Sequence, residues 1–191
     1  MYVFAYGSLL SRASLSRTLP EVSTAQCTPA RLGGYERAFD VAFPNDGSQP
    51  DKIYRRAGGT DPAVVLFANI RATRGRVAVN GVLIPVQRTT LERLHLRELR
   101  YDLVDVTAGV HVYTPWRQGH GQVVAFTGRS EFIQPSSAQD GLVPREYLTT
   151  ILAGVEDWER RCPGFGRDFD ASTRAPARSR VAALDRIDLW A

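Results

Sequence analysis

The chain has 191 residues, of which 43% are hydrophobic and 23% are charged, and its net charge is +4. This length suits a single domain with a sizeable core, and the composition excludes a disordered chain. No apolar run approaches the roughly 20 residues that a membrane helix needs, and the N-terminus lacks the basic and long apolar regions of a signal peptide. We therefore expect one cytoplasmic domain over residues 1–191.

The first third of the chain predicts a strand, a short helix and a bent strand. Residues 2–7 are apolar and aromatic and predict a strand that ends in a turn. Residues 11–19 predict a short helix. Residues 28–43 predict one strand that bends at two adjacent glycines and then continues. The segment 44–61 is rich in Pro, Gly, Asp and Asn and predicts a loop.

The rest of the chain predicts further short strands and two helices, without the alternation of a βαβ protein. Strands are expected over residues 64–70, 77–86, 103–106, 110–114 and 122–127. Helices are expected over residues 89–101 and 144–158. From about residue 162 we expect an irregular tail with a late apolar run at 187–190. The fold class is therefore α+β.

The helix over 89–101 carries the first candidate functional residue. Thr89 and Glu92 match a capping box, which sets the phase of the helix. Glu98 then follows Leu91 by seven residues and Leu94 by four, so it lies on their buried face. A carboxylate on an apolar face has a raised pKa and can both accept and donate a proton. The sequence therefore predicts an acid/base residue here.

Other interpretations of these residues stay open at the level of sequence. Glu98 could be a partly buried structural residue that pairs with an arginine such as Arg37 or Arg71. Tyr101 follows Glu98 by three residues and could lie beside it. Tyr147 lies on the second helix, and a single tyrosine is often only a core or rim residue.

The turn at Tyr6-Gly7-Ser8-Leu9 is the second candidate site. A strand that ends in a glycine turn before a helix presents consecutive backbone N–H groups, and such a nest binds carboxylates or phosphates. An ordinary strand-to-helix turn is the alternative.

Metal, nucleotide-cofactor and covalent chemistry have no motif in the sequence. Walker A, HExxH, GxSxG and GxGxxG patterns are absent. His95, His111 and His120 are not spaced as a ligand set, and Cys27 and Cys162 are expected to be buried, unpaired thiols. The mild charge lacks the basic stripe of a nucleic-acid-binding protein. We expect no cofactor, no metal, no nucleic acid and no membrane partner.

These motifs, in this order, resemble the γ-glutamylcyclotransferase family over roughly residues 1–155. The resemblance rests on Tyr-Gly-Ser-Leu at 6–9 after an N-terminal strand, and on Asn-Gly-Val-Leu at 80–83 leading to Glu98 and Tyr101. It rests further on Pro-Arg-Glu-Tyr-Leu at 144–148, which opens the late helix. One departure is His95, because family members often have Asp after the leucine at this point.

The resemblance implies a small, closed or nearly closed mixed β-barrel with helices packed outside. It also implies that the loop of Tyr6, Gly7, Ser8 and Leu9 holds a γ-glutamyl group by main-chain contacts. Glu98 would be the acid/base, with Tyr147 and Tyr101 at the substrate site. The implied reaction converts a γ-glutamyl amide to 5-oxoproline and a free amine or amino acid, in a monomer or a homodimer.

Three uses of such a domain stay open. The first is general turnover of γ-glutamyl peptides or glutathione. The second is removal of a γ-glutamyl protecting group from a biosynthetic intermediate. The third is a non-catalytic binding module, which the presence of Glu98 disfavours.

Overall fold

A computed structural model describes residues 1–75, 77–113, 121–135 and 140–189. The strands are β1 Tyr2–Ala5, β2 Thr28–Gly33, β3 Tyr35–Pro44, β4 Lys52–Arg55, β5 Val64–Ala72, β6 Ala78–Pro85, β7 Tyr101–Asp105, β8 Val110–Val112, β9 Val123–Gly128, β10 Gly141–Pro144, β11 Val181–Ala182 and β12 Asp185–Asp188. The helices are α1 Arg12–Thr18, α2 Arg88–Arg97, α3 Arg145–Arg161 and α4 Phe165–Ser172. The α+β class is confirmed. The predicted Thr114, His120 and Trp190 lie outside the described residues.

Strand β1 lies inside the largest sheet, whose six strands have the order β7-β9-β1-β6-β2-β8. It pairs antiparallel with β6 and parallel with β9. A strand that is covered on both faces carries a continuous apolar run. Val3, Phe4 and Ala5 are accordingly buried. The end of β1 carries the chain directly to Tyr6 and the candidate loop.

The predicted continuous strand over 28–43 is wrong, because Gly34 divides it. Gly34 has φ +78°, a left-handed conformation that glycine adopts without strain. The chain reverses there, so β2 stays in the six-stranded sheet while β3 pairs with β5. Strands β3 and β5 belong to a four-stranded sheet of order β11-β10-β5-β3.

The closed barrel stays a prediction. Among the described residues the strand ladders form sheets of six, four and two strands, in which β7 pairs with β9 and β8 pairs with β2. Contacts between β5 and β9 bring the two larger sheets together around the core.

Helix α3 confirms the predicted late helix and supports the candidate loop from outside. Its buried face includes Ile151, Gly154, Val155 and Trp158. The indole Nε1 of Trp158 donates a hydrogen bond of 3.1 Å to the carbonyl oxygen of Leu10. The helix therefore packs directly on the turn that follows β1.

The irregular tail from about residue 162 and the structureless loop over 44–61 are both wrong. Helix α4 forms because Phe165 and Phe169, one turn apart, are both buried in the core. Strand β12 pairs antiparallel with β4, which lies within the predicted loop. The single-domain assignment stays a prediction. In the described part of the chain, every helix is too short or too polar to cross a bilayer.

Candidate active site

The candidate loop is a tight turn that leaves backbone donors free. After β1 a single 3₁₀ turn over Ser8–Leu10 is closed by hydrogen bonds from Leu10 N–H to the Gly7 carbonyl (3.0 Å) and from Ser11 N–H to the Ser8 carbonyl (3.1 Å). Among the described residues, no hydrogen bond uses the N–H groups of Gly7, Ser8 or Leu9. The turn therefore presents the donors that the sequence predicts for an anion nest.

Arg37 fixes the start of this loop from inside the core. Its side chain is fully buried on β3, and its Nε donates a hydrogen bond of 2.8 Å to the Tyr6 carbonyl oxygen. The other guanidinium nitrogens bond to the Asn80 carbonyl at 2.5 Å, the Asn80 Oδ1 at 3.1 Å and the Thr173 hydroxyl at 2.6 Å. Burial lowers the pKa of Arg37 to about 9, so it remains a cation at neutral pH.

The predicted capping box and the predicted length of the second helix are wrong. Helix α2 begins after Gln87, and no side chain caps its first turn. The hydroxyl of Thr90 donates instead to the Glu21 carboxylate at 3.1 Å, which ties the start of α2 to another segment. The helix ends at Arg97, and Glu98 is its C-cap, with its N–H bonded to the Leu94 carbonyl at 2.9 Å.

Glu98 nevertheless points into a sheltered space. Its side chain is 26% exposed and lies in the cavity beside the loop. Burial raises the pKa of Glu98, while the positive charges of Arg97, Lys52 and Arg100 oppose that rise. The nearest ion pair is with Arg97, whose Nε lies 3.8 Å from Glu98 Oε1.

The alternative interpretation pairs Glu98 with an arginine, and the arginine beside it is Arg97 rather than Arg37 or Arg71. Arg37 bonds to the partners described above. Arg71 forms an ion pair with Asp40. Neither of these two arginines therefore engages Glu98, whose side chain lines the cavity with Arg97 as its ion-pair partner.

Two tyrosines meet the same backbone unit, Ala68, but in opposite senses. The hydroxyl of Tyr101, which lies on β7 and not on α2, donates to the Ala68 carbonyl at 2.8 Å. The hydroxyl of Tyr147 accepts from the Ala68 N–H at 3.3 Å. The proton of Tyr101 is therefore committed, whereas that of Tyr147 can be donated to a ligand. Burial raises the pKa of both hydroxyls, so both stay protonated at neutral pH.

The loop, the carboxylate and the tyrosines surround one cavity of about 80 Å³. All the site residues predicted from the sequence line it, namely Tyr6, Gly7, Ser8, Leu9, Glu98, Tyr101 and Tyr147. No sequence pattern points to Ala68 or Phe126, which also line the cavity. The hydroxyl of Tyr6 bonds to the Phe126 carbonyl at 2.5 Å and closes this wall.

A larger groove of about 730 Å³ opens from the cavity. The two spaces share Ser8, Glu98, Tyr101 and Tyr147, so Glu98 lies at their junction. Strands β4 and β12 supply one wall of the groove, and the end of α2 supplies another. Two ligand fragments joined beside Glu98 would therefore occupy different spaces.

The predicted thiols and histidines lie away from this arrangement. Cys27 and Cys162 are buried and unpaired, and burial raises the pKa of Cys27 to about 11. His95 is exposed on α2 and lies beside Phe126, with 6.4 Å between ring centroids. Within the described ranges, no three His, Cys, Asp or Glu side chains are grouped to hold a metal ion.

Comparison with known proteins shows a likeness of structure. No protein-family model and no curated protein matches the chain. A structure of a protein named gamma-glutamyl cyclotransferase is 17% identical at a TM-score of 0.56, with 95% of this chain and 92% of that one aligned. The human protein loc79017 is 17% identical at a TM-score of 0.53, over 95% of this chain and 92% of its own.

YkqA from Bacillus subtilis is 18% identical at a TM-score of 0.54, over 92% of this chain. The chain spans only 56% of the length of YkqA. Together these structures show that the chain adopts the γ-glutamylcyclotransferase-like fold, so the family resemblance is confirmed at the level of the fold.

Proposed function

We propose that this chain, which has a γ-glutamylcyclotransferase-like fold, converts a γ-glutamyl amide to 5-oxoproline and releases the amine. The observation that carries the proposal is that Glu98, a carboxylate with a raised pKa, faces the same cavity as the free N–H groups of Gly7 to Leu9. The loop N–H groups can thus hold an anionic group of the substrate while Glu98 accepts or donates a proton. The protein named gamma-glutamyl cyclotransferase shares this fold, which makes the same reaction class the first to test.

The N–H groups of Gly7, Ser8 and Leu9 bind the α-carboxylate of the γ-glutamyl group. Consecutive backbone donors suit a carboxylate because they bring partial positive charge without a side chain to desolvate. The γ-glutamyl chain is then held folded, with its α-nitrogen against its own γ-carbonyl carbon. Orienting an internal nucleophile in this way supplies effective molarities of about 10⁵ M or more.

Glu98 transfers the protons of the reaction. It accepts a proton from the α-ammonium group, and the freed nitrogen forms a bond to the γ-carbonyl carbon. The bond from that carbon to the leaving nitrogen then breaks as Glu98 returns the proton to it. Over the whole reaction the α-nitrogen loses two protons to become the lactam N–H, and the leaving nitrogen gains two to depart as an ammonium group. The Tyr147 hydroxyl donates a hydrogen bond to the γ-carbonyl oxygen, where negative charge develops, and it keeps its proton throughout.

The deciding experiment measures release of 5-oxoproline by mass spectrometry from γ-glutamyl amino acids, glutathione and γ-glutamyl amines. Glu98→Gln should lower kcat by about 10²-fold or more, because it removes the acid/base group. Glu92→Gln is the matched control, since Glu92 is an exposed glutamate on the same helix. Equal rates for the two variants would refute the role of Glu98.

The remaining expectations belong to the same proposal. We propose that the reaction takes place in the cytoplasm and needs no cofactor. The protein would act as a monomer or a homodimer, and its β-strands would form a closed or nearly closed barrel. The substrates that react best in the panel decide between general γ-glutamyl turnover and removal of a protecting group. Failure of every substrate, together with binding of a γ-glutamyl ligand, would favour the non-catalytic module.

A further inference from the structure

Three charged side chains that are largely shielded from solvent form a cluster in the lining of the larger groove, here called the outer groove. The Asp51 carboxylate accepts hydrogen bonds from Lys52 Nζ at 2.7 Å and from Arg100 Nη2 at 2.8 Å. The side chains of Lys52, Arg100 and Asp51 are only 15%, 6% and 24% exposed. Two cations therefore share one carboxylate, and the cluster carries one net positive charge.

The surrounding side chains hold this cluster in place. The Lys52 ammonium lies 5.3 Å from the ring centroid of Phe43 and 5.6 Å from that of Phe67. The Arg100 guanidinium lies 4.4 Å from the Phe43 centroid. Rigid cations of this kind form a binding site at a low entropic cost, because their side chains are already ordered.

The extra positive charge has no anionic partner in direct contact among the described residues. The buried Nε of Arg100 lacks a hydrogen-bond partner there. Other acidic residues also line the groove. Asp188 forms an ion pair with Arg186, and Glu146 is exposed to solvent. Glu98 makes its nearest ion pair with Arg97, and the charges of Lys52 and Arg100 act on it without an ion-pair contact. A largely shielded pair of cations that lines a groove with only one carboxylate in contact favours an anionic ligand.

We propose that the cluster of Asp51, Lys52 and Arg100 is an anion subsite for the leaving amine, an inference that rests on the proposed function. Glu98 must reach the leaving nitrogen to protonate it, and the γ-glutamyl group occupies the inner cavity. The rest of the leaving amine then extends into the outer groove, whose lining includes Lys52 and Arg100. The preferred substrates are γ-glutamyl amides of amines that carry a carboxylate or a phosphate.

The test compares three leaving amines of similar length in the full-length protein. They are the γ-glutamyl amides of β-alanine, of phosphoethanolamine and of propylamine, which carry a carboxylate, a phosphate and no charge. We expect kcat/KM to be about tenfold or more higher for an anionic amide than for the neutral one. The anionic amide with the higher kcat/KM shows whether the subsite prefers a carboxylate or a phosphate.

Two variants should shift this preference in opposite directions. Lys52→Met keeps an apolar stem over the rings but removes the cation, so the anionic-to-neutral ratio of kcat/KM should fall about tenfold. Asp51→Asn removes the competing carboxylate, so the ratio should rise. General damage to the fold would lower both rates and would not produce opposite changes in their ratio. Arg93→Gln, at an exposed arginine on α2 outside both spaces, should leave the ratio unchanged.

The outcomes separate this inference from the proposed function. Release of 5-oxoproline that depends on Glu98, with equal kcat/KM for charged and neutral amides, would overturn the subsite alone. If no amide reacts, calorimetric binding of the same three compounds to wild-type and Lys52→Met protein tests the subsite directly. A preference for the anionic compounds that Lys52→Met abolishes would support it, and the lack of such a preference would overturn it.

Discussion

The Nε of Arg37 donates a hydrogen bond of 2.8 Å to the carbonyl oxygen of Tyr6, so a buried cation holds the residue that precedes the loop donors. The guanidinium of Arg37 donates its hydrogen bonds to neutral acceptors, and its Cζ lies 4.3 Å from the centroid of the Phe169 ring. A buried charge is costly unless its donors are satisfied, and here Tyr6, Asn80 and Thr173 satisfy them. The position of the loop is thereby coupled to the residues around α4.

Replacement of this guanidinium should misplace the loop. Arg37→Lys keeps the positive charge, but an ammonium lacks the planar fork that reaches Tyr6, Asn80 and Thr173 together. We expect the free energy of unfolding to fall by about 2 kcal/mol and KM for a γ-glutamyl substrate to rise more than kcat falls. Thr173→Val is the comparison variant, because it removes only one of the bonds that hold the same guanidinium. It should cost about 1 kcal/mol and raise KM less than Arg37→Lys does. An unchanged KM in Arg37→Lys would contradict this coupling.

The two tyrosines at Ala68 should differ in their effect on activity. Tyr147→Phe removes the hydroxyl whose proton is free, and we expect kcat to fall about tenfold or more. Tyr101→Phe removes a hydroxyl whose proton is already donated to Ala68, so kcat should change less. Both variants lose one hydrogen bond to the backbone of the same residue, which makes their stabilities comparable. Steady-state kinetics with thermal melts measure both effects, and equal kcat values would argue against Tyr147 as a donor.

Local patterns predicted the elements that carry their own signal. The apolar start of the chain gave β1 and its turn, and helical spacing gave α3. The candidate residues of the loop, Glu98 and Tyr147 could be grouped because a family resemblance connected them. Periodicity alone would not have joined residues so far apart in the chain.

The sequence failed where long-range contacts decide the structure. The capping box at Thr89 is wrong because α2 already begins at Arg88, and the start of the helix is tied by the hydrogen bond from Thr90 to Glu21, which is distant in the chain. Helix α4 is only eight residues long, and its stability comes from core contacts of its phenylalanines rather than from helix signals. The pairing of Asp51 with Arg100 joins segments 49 residues apart, and no local pattern records it.

The pH dependence of kcat/KM should report the environment of Glu98. The reaction needs the ionised carboxylate as base, so kcat/KM rises with pH through the pKa of Glu98. Burial raises that pKa, and the midpoint should lie above the ordinary glutamate value of about 4.3. Lys52 lowers it, so Lys52→Met should move the acidic limb to higher pH. The measurement uses a neutral γ-glutamyl amide, with Arg93→Gln as control, and a limb that Lys52→Met leaves in place would refute the assignment.

The contact between α3 and the loop should tolerate no side chain at Gly154. A Cβ there would lie 2.5 Å from the carbonyl carbon of Leu10 and 2.6 Å from the nitrogen of Ser11, and backbone atoms cannot rotate away as a side chain can. Alanine would ordinarily gain up to about 1 kcal/mol in a helix, but overpacking costs about 1–3 kcal/mol. We expect Gly154→Ala to lose about 1–2 kcal/mol of unfolding free energy and to lower kcat/KM by displacing the loop.

Gly166→Ala provides the matched control, because it is also a helical glycine but its Cβ would meet side chains at ordinary contact distances, the Glu159 carboxylate at 3.4 Å and Val155 at 3.9 Å. Its stability should be unchanged or slightly higher. Urea unfolding of both variants at one temperature measures the difference, and kcat/KM measured well below the unfolding transition shows whether the loop has moved. A Gly154→Ala protein as stable and as active as the Gly166→Ala protein would mean that α3 does not set the position of the loop.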